Sequence, residues 1–163
     1  MIGEVQRFSM EVGPLDPNNR MMRGVNIFIG GRNISESDNS VYVPQFITSL
    51  GRACETLKRK IDYAKYEPLF FEQSLEEAYT HLAEDDGDLF GACRVLDFGP
   101  TTDGSLSFLI PHHGRLYLAT RVHDVEDDDH GGDEAASPVV VEITAYDMIR
   151  VMELTEESLR STS

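Results

Sequence analysis

The sequence predicts an α+β fold. A largely antiparallel sheet of about six strands, in the order ββ-α-α-ββββ-α, would be packed by two to three helices. Three observations carry this. Apolar residues alternate with polar ones near the start and again beyond residue 92, the period of a half-buried strand. Between those runs, and near the end, they recur every three or four residues, the period of a helix lying on a core. The links between neighbouring strands are short enough for hairpins, which join antiparallel strands, whereas parallel strands need long crossovers.

Phe8, Met10 and Val12 alternate with Ser9 and Glu11 and predict the first strand. Residues 13–19 (Gly13-Pro14-Leu15-Asp16-Pro17-Asn18-Asn19) preset or tolerate turn dihedrals and predict a turn. Residues 24–29 form the second strand, which ends at a tight Gly30-Gly31 turn, with Ile34 resuming briefly. Pro44 suits a first helical turn, where its missing N–H costs nothing. Beyond it, Phe46, Ile47, Leu50, Cys54, Leu57 and Ile61 form one apolar stripe on a helix over 44–61. Lys58, Arg59 and Lys60 complement the dipole of its last turn.

Ser74 with Glu77 makes a capping box for a shorter helix carrying Leu75, Ala78, Tyr79 and Leu82 and ending near Glu84. Residues 92–98, 105–111 and 115–123 read as strands, separated by turns at 99–104 and at His112-His113-Gly114. Leu106, Phe108 and Ile110 share one face; Leu116, Leu118 and Thr120 share another. Residues 139–143 are a further strand. Thr144, with Asp147 three residues on, caps a final helix whose stripe is Met148, Ile149, Met152 and Leu159. The 163 residues are expected to form one domain, 1–163, containing an acidic flexible loop at 124–137.

Charge divides the chain. Residues 1–70 carry nine Lys and Arg against eight Asp and Glu, whereas residues 71–163 carry five against 21. A field of that sign repels nucleic acid and anionic lipid and attracts basic surfaces. Solubility is the plainer reading of the same charge. The opening residues show no cationic stretch leading into an apolar one, and no apolar run approaches the ~20 residues that span a bilayer. With two cysteines, Cys54 and Cys93, the chain is expected in a reducing cytoplasm. Core packing is the expected role of both thiols, and a bridge between them stays open.

The acidic segment, residues 124–134, has the composition of a hard-cation site but not the spacing of a calcium loop. His112 and His113 suit a turn better than one metal site; His123 and His130 leave open a metal-binding module or metal-dependent enzyme as a second reading. Phosphate-loop, nucleophile-elbow, zinc-protease and dinucleotide motifs are absent from the sequence. Glu76-Glu77 and Glu156-Glu157 are most simply the wet faces of helices. No catalytic residue, cofactor or metal is therefore expected.

Phe8-Ser9-Met10-Glu11-Val12, followed by Gly24-Val25-Asn26-Ile27-Phe28-Ile29-Gly30-Gly31-Arg32-Asn33-Ile34, resembles the opening of a family of small bacterial immunity proteins. These are encoded beside polymorphic toxins, including those of contact-dependent inhibition systems. The resemblance covers about the first 60 residues; the long acidic segment departs from it. It implies a non-enzymatic protein that binds a cognate toxin domain in the cytoplasm; monomer and homodimer both stay open. Charge points to a basic, nuclease-like toxin. An acidic adaptor for another basic partner is the third reading. Expected partner-binding residues are Asp85, Asp86 and Asp88, and then Asp124, Glu126, Asp127, Asp128 and Asp129. Tyr79 and Phe90 are the bordering apolar candidates.

Overall fold

A computed structural model describes residues 1–36, 38–59, 62–122 and 136–161. Expectations that fall on Lys60, Ile61, His123, His130 and the acidic residues 124–134 lie outside the described residues. The fold is α+β, with its described strands divided between two antiparallel sheets. The first sheet runs β1 (Ile2–Glu4), β2 (Phe8–Leu15), β3 (Met22–Ile29) and β4 (Arg32–Asn33), and β5 (Ser40–Tyr42) also pairs with β3. The second runs β6 (Arg94–Val95), β7 (Ser105–His112), β8 (Arg115–Val122) and β9 (Val139–Glu142).

In the first sheet Phe8 pairs with Ile29, Met10 with Ile27 and Val12 with Val25, so one face carries the whole apolar set. Helices α1 (Val43–Arg59) and α5 (Ala145–Ser161) close over it with Phe46, Leu50, Cys54, Leu57, Met148 and Met152. The Thr144 cap is present: its Oγ1 accepts from the Asp147 N–H at 3.0 Å.

The second sheet is buried on both sides, which explains the unbroken apolar run of β7. Leu109 and Leu118 join the α1–α5 core. Phe108, Ile110 and Ala119 face a second core, built with three short helices: α2 (Glu67–Phe70), α3 (Leu75–Glu84) and α4 (Asp88–Cys93).

Two expectations need correction. Residues 13–15 are not turn but strand: β2 continues to Leu15, with its register against β3 shifting between Val12 and Leu15. Such an irregularity tolerates Pro14, whose nitrogen has no proton for the ladder. The turn moves to 16–21, where the Asp16 carboxylate accepts from the N–H groups of Asn18 and Asn19 at 2.7 and 3.2 Å. Residues 92–98 are mostly not strand. Asp85 Oδ2 accepts from the N–H groups of Gly87 and Phe90 at 3.0 and 2.9 Å, satisfying donors at the start of α4. Strand β6 then lasts two residues before Leu96 turns to φ +59°.

Cys54 belongs to the first core and Cys93 to the second, and no disulfide joins them. Burial, and after it the charge of Glu153, push the Cys54 thiol up to about 11. At pH 8 only about one molecule in a thousand would then hold the thiolate that reacts. In a Cys93→Ala background, a thiol-reactive chromophore at pH 8 is expected to leave Cys54 unmodified until denaturant is added. Modification of the folded chain within minutes would contradict this burial.

Candidate functional site

Among the described residues, exposed apolar and acidic side chains come together on α2, α3 and the turn between them. Pro68 sits in the first turn of α2, a helix of four residues. So short a helix offers one inward position, and Phe70 takes it, fully buried. Its apolar neighbours are left outside, Leu69 at 51 % and Phe71 at 55 % exposure.

This segment is fastened to the β7–β8 hairpin turn, where His113 and Gly114 adopt φ values of +49° and +74°. The Gly114 N–H donates to the Glu67 carboxylate at 2.7 Å. His112 Nε2 donates to the Gln73 carbonyl at 2.8 Å. The Phe71 ring rests against the His113 ring, with centroids 4.7 Å apart.

The capping box of α3 is complete. Ser74 Oγ accepts from the Glu77 N–H at 3.1 Å, and the Glu77 carboxylate accepts from the Ser74 N–H at 2.7 Å. Those bonds hold the Glu77 carboxyl below its ordinary range. Inward, α3 places Ala78, Tyr79 and Leu82 in the second core. Outward, Glu76, Glu77, Thr80, His81 and Glu84 line a shallow groove that Asp85 and Asp86 complete. An adjoining groove is lined by Ala64, Glu67, Pro68, Leu69, Phe71, Glu72 and Gln73. The two meet where Gln73 Nε2 lies 3.3 Å from His81 Nδ1. Ser137, the second described residue after the acidic segment, donates to Glu76 Oε1 at 2.9 Å and so lands on the same helix.

The expected residues fare unevenly. Asp85 and Asp86 lie together in the groove, although Asp85 also caps α4. Asp88 is exposed in the first turn of α4. Asp124, Glu126, Asp127, Asp128 and Asp129 lie outside the described residues. Tyr79 is interior: it is 1 % exposed, its hydroxyl donates to the Leu106 carbonyl at 2.9 Å, and the Arg121 guanidinium lies over its ring. Phe90 is half-buried, edge-on to Phe108 and under the Arg94 guanidinium.

Sequence reasoning set Glu76 and Glu77 aside as an ordinary wet face and passed over Leu69 and Phe71. A signal existed for the last two. Three large apolar residues in a row, Leu69-Phe70-Phe71, cannot all turn inward on one short helix.

Chemically this face offers carboxylates and apolar surface. Among the described residues no three His, Cys, Asp or Glu side chains converge as a metal site. A separate recess of about 230 Å³ between α1, β6 and α5 is floored by Leu57, Leu96, Met148 and Met152. Its rim residue Arg94 is paired with Asp97 at 3.3 Å. Among the described residues no helix is long and apolar enough to cross a membrane.

No family model and no curated protein sequence matches this chain. Its fold is similar to the crystal structure of CdiI from Burkholderia dolosa AUO158, a contact-dependent inhibition immunity protein. The TM-score is 0.60 at 15 % identity, over 95 % of this chain and 98 % of that one. At that identity the likeness is one of fold.

Proposed function

We propose that this chain is a cytoplasmic immunity protein that binds a cognate basic toxin domain and neutralises it by steric and electrostatic blocking. The observation that carries this reading is the fold shared with CdiI along nearly the full length of both chains. The charge agrees with it: 21 acidic against five basic residues over 71–163 would steer a basic enzyme toward this surface. A nuclease is the natural target, because an enzyme built to hold a polyanion presents Lys and Arg that a carboxylate-rich surface can occupy. Inhibition of this kind needs no reacting group on the inhibitor. Asp124, Glu126, Asp127, Asp128 and Asp129 would add to the long-range field, with Asp85, Asp86 and Asp88 nearer the contact.

The test is co-expression with the toxin domain that this reading requires to be encoded immediately upstream. That domain alone should arrest growth. Induction of this chain should restore it, and the two purified proteins should co-elute. A lethal domain that this chain neither binds nor suppresses would overturn the reading, as would the absence of any such gene.

A further inference from the structure

We infer that the α2–α3 face is the docking surface for that basic protein, with Leu69 and Phe71 as its apolar anchors and Glu72, Glu84 and Asp86 as its charged rim; this rests on the immunity reading. Two large apolar side chains, each more than half exposed, flank the buried Phe70 in sequence and line one groove. Phe71 is already held against His113, so little rotamer freedom is left to lose when a partner covers it. Neither groove has Lys or Arg among its lining residues. Several carboxylates are engaged within the chain: Glu67 with Gly114, Glu76 with Ser137, Glu77 with Ser74, and Asp85 with α4. Among the described residues Glu72, Glu84 and Asp86 make no ion pair, and no described cation offsets their charge. An apolar centre edged by carboxylates that no described cation pairs fits one kind of occupant, a protein surface with an apolar recess ringed by Lys and Arg.

The experiment measures binding of the purified upstream toxin domain to the full chain by surface plasmon resonance at several salt concentrations. For the double variant Leu69→Ser, Phe71→Ser the affinity should fall at least about thirty-fold, mainly through faster dissociation. For Glu72→Gln, Glu84→Gln, Asp86→Asn the association rate at low salt should fall about tenfold and depend less on salt. Thermal midpoints of both variants should stay near that of the wild type, because the altered side chains are exposed. Should the serine variant lose its fold, Leu69→Lys alone must still weaken binding, by setting a cation against cations.

Wild-type binding with an affinity unchanged within threefold in the apolar variant overturns the docking surface and leaves the immunity reading standing. No binding by the wild type overturns both. An association rate untouched in the charge variant removes the rim and, with it, the argument for a basic occupant. Sedimentation of the chain alone covers the remaining case: a dimer that the apolar variant converts to monomer would mean a second copy covers this face, and would also overturn the proposal.

Discussion

Replacing Phe108 by Ala should lower the stability of the folded chain by about 3–5 kcal/mol, the range for emptying a fully buried aromatic site. Phe108 is 0 % exposed on β7 and meets two rings edge-on, Tyr79 at 5.3 Å and Phe90 at 5.4 Å between centroids. It is thus the residue through which the second sheet holds both α3 and α4. The upper part of the range is expected, because the cavity cannot easily collapse. Tyr79 is pinned by its bond to the Leu106 carbonyl and covered by Arg121, so it cannot swing into the vacated space. Chemical denaturation followed by circular dichroism measures the effect as a lower midpoint at unchanged slope. Phe90→Ala, at a half-buried site, should cost clearly less. A Phe108→Ala midpoint close to that of the wild type would show that the second core is not built around this ring.

The second large effect is expected at Gly30. Substitution by Ala should cost about 2–4 kcal/mol, from left-handed backbone and overpacking together. Gly30 and Gly31 have φ of +57° and +82° and form the two-residue turn between β3 and β4. A Cβ on Gly30 would lie 2.5 Å from Val139 Cγ1 and 3.3 Å from Val141 Cγ1, both on β9. Here the turn of the first sheet touches the second sheet, with no room for a methyl group. The Gly30 N–H also donates to the Arg7 carbonyl at 3.0 Å, so the backbone has little freedom to retreat. Gly31→Ala is the control: its Cβ would meet only the end of the Gln6 side chain, at 3.1 Å, which can move aside. Thermal denaturation should therefore rank wild type above Gly31→Ala and Gly31→Ala above Gly30→Ala. Equal losses at the two glycines would place the whole cost in the backbone and none in the contact between the sheets.

Local patterns were legible. The stripe of α1, the capping box at Ser74 and the Thr144 cap depend on residues within a turn or two of each other. So does the Gly30-Gly31 turn. Helix α4 was not legible, because residues 92–98 have strand composition and what turns the preceding stretch into helix is the Asp85 carboxylate reaching the Phe90 N–H. At the surface, the carboxylates near 84–88 were visible in the sequence, whereas the exposure of Leu69 and Phe71 was not. A run such as Leu69-Phe70-Phe71 signals that not all three can turn inward, but only packing against β7 selects Phe70 as the buried one. Tyr79 erred the other way. Its place beside an acidic cluster suggested a surface, whereas its helical position faces the second core.

Composition and periodicity were enough for the α+β class, the antiparallel pairing of β2 with β3 and the anionic character of residues 71–163. Each follows from short-range spacing or from a sum over residues, and neither needs to know what lies across the fold. The division of the strands into two sheets, the second core beneath α2, α3 and α4, and the union of Leu69 and Phe71 with the α3 carboxylates on one face came from the folded chain alone. They depend on contacts between residues far apart in sequence, such as Tyr79 with Leu106 and Glu67 with Gly114. Contacts of that kind leave no period in the chain, since either partner alone is compatible with many neighbours.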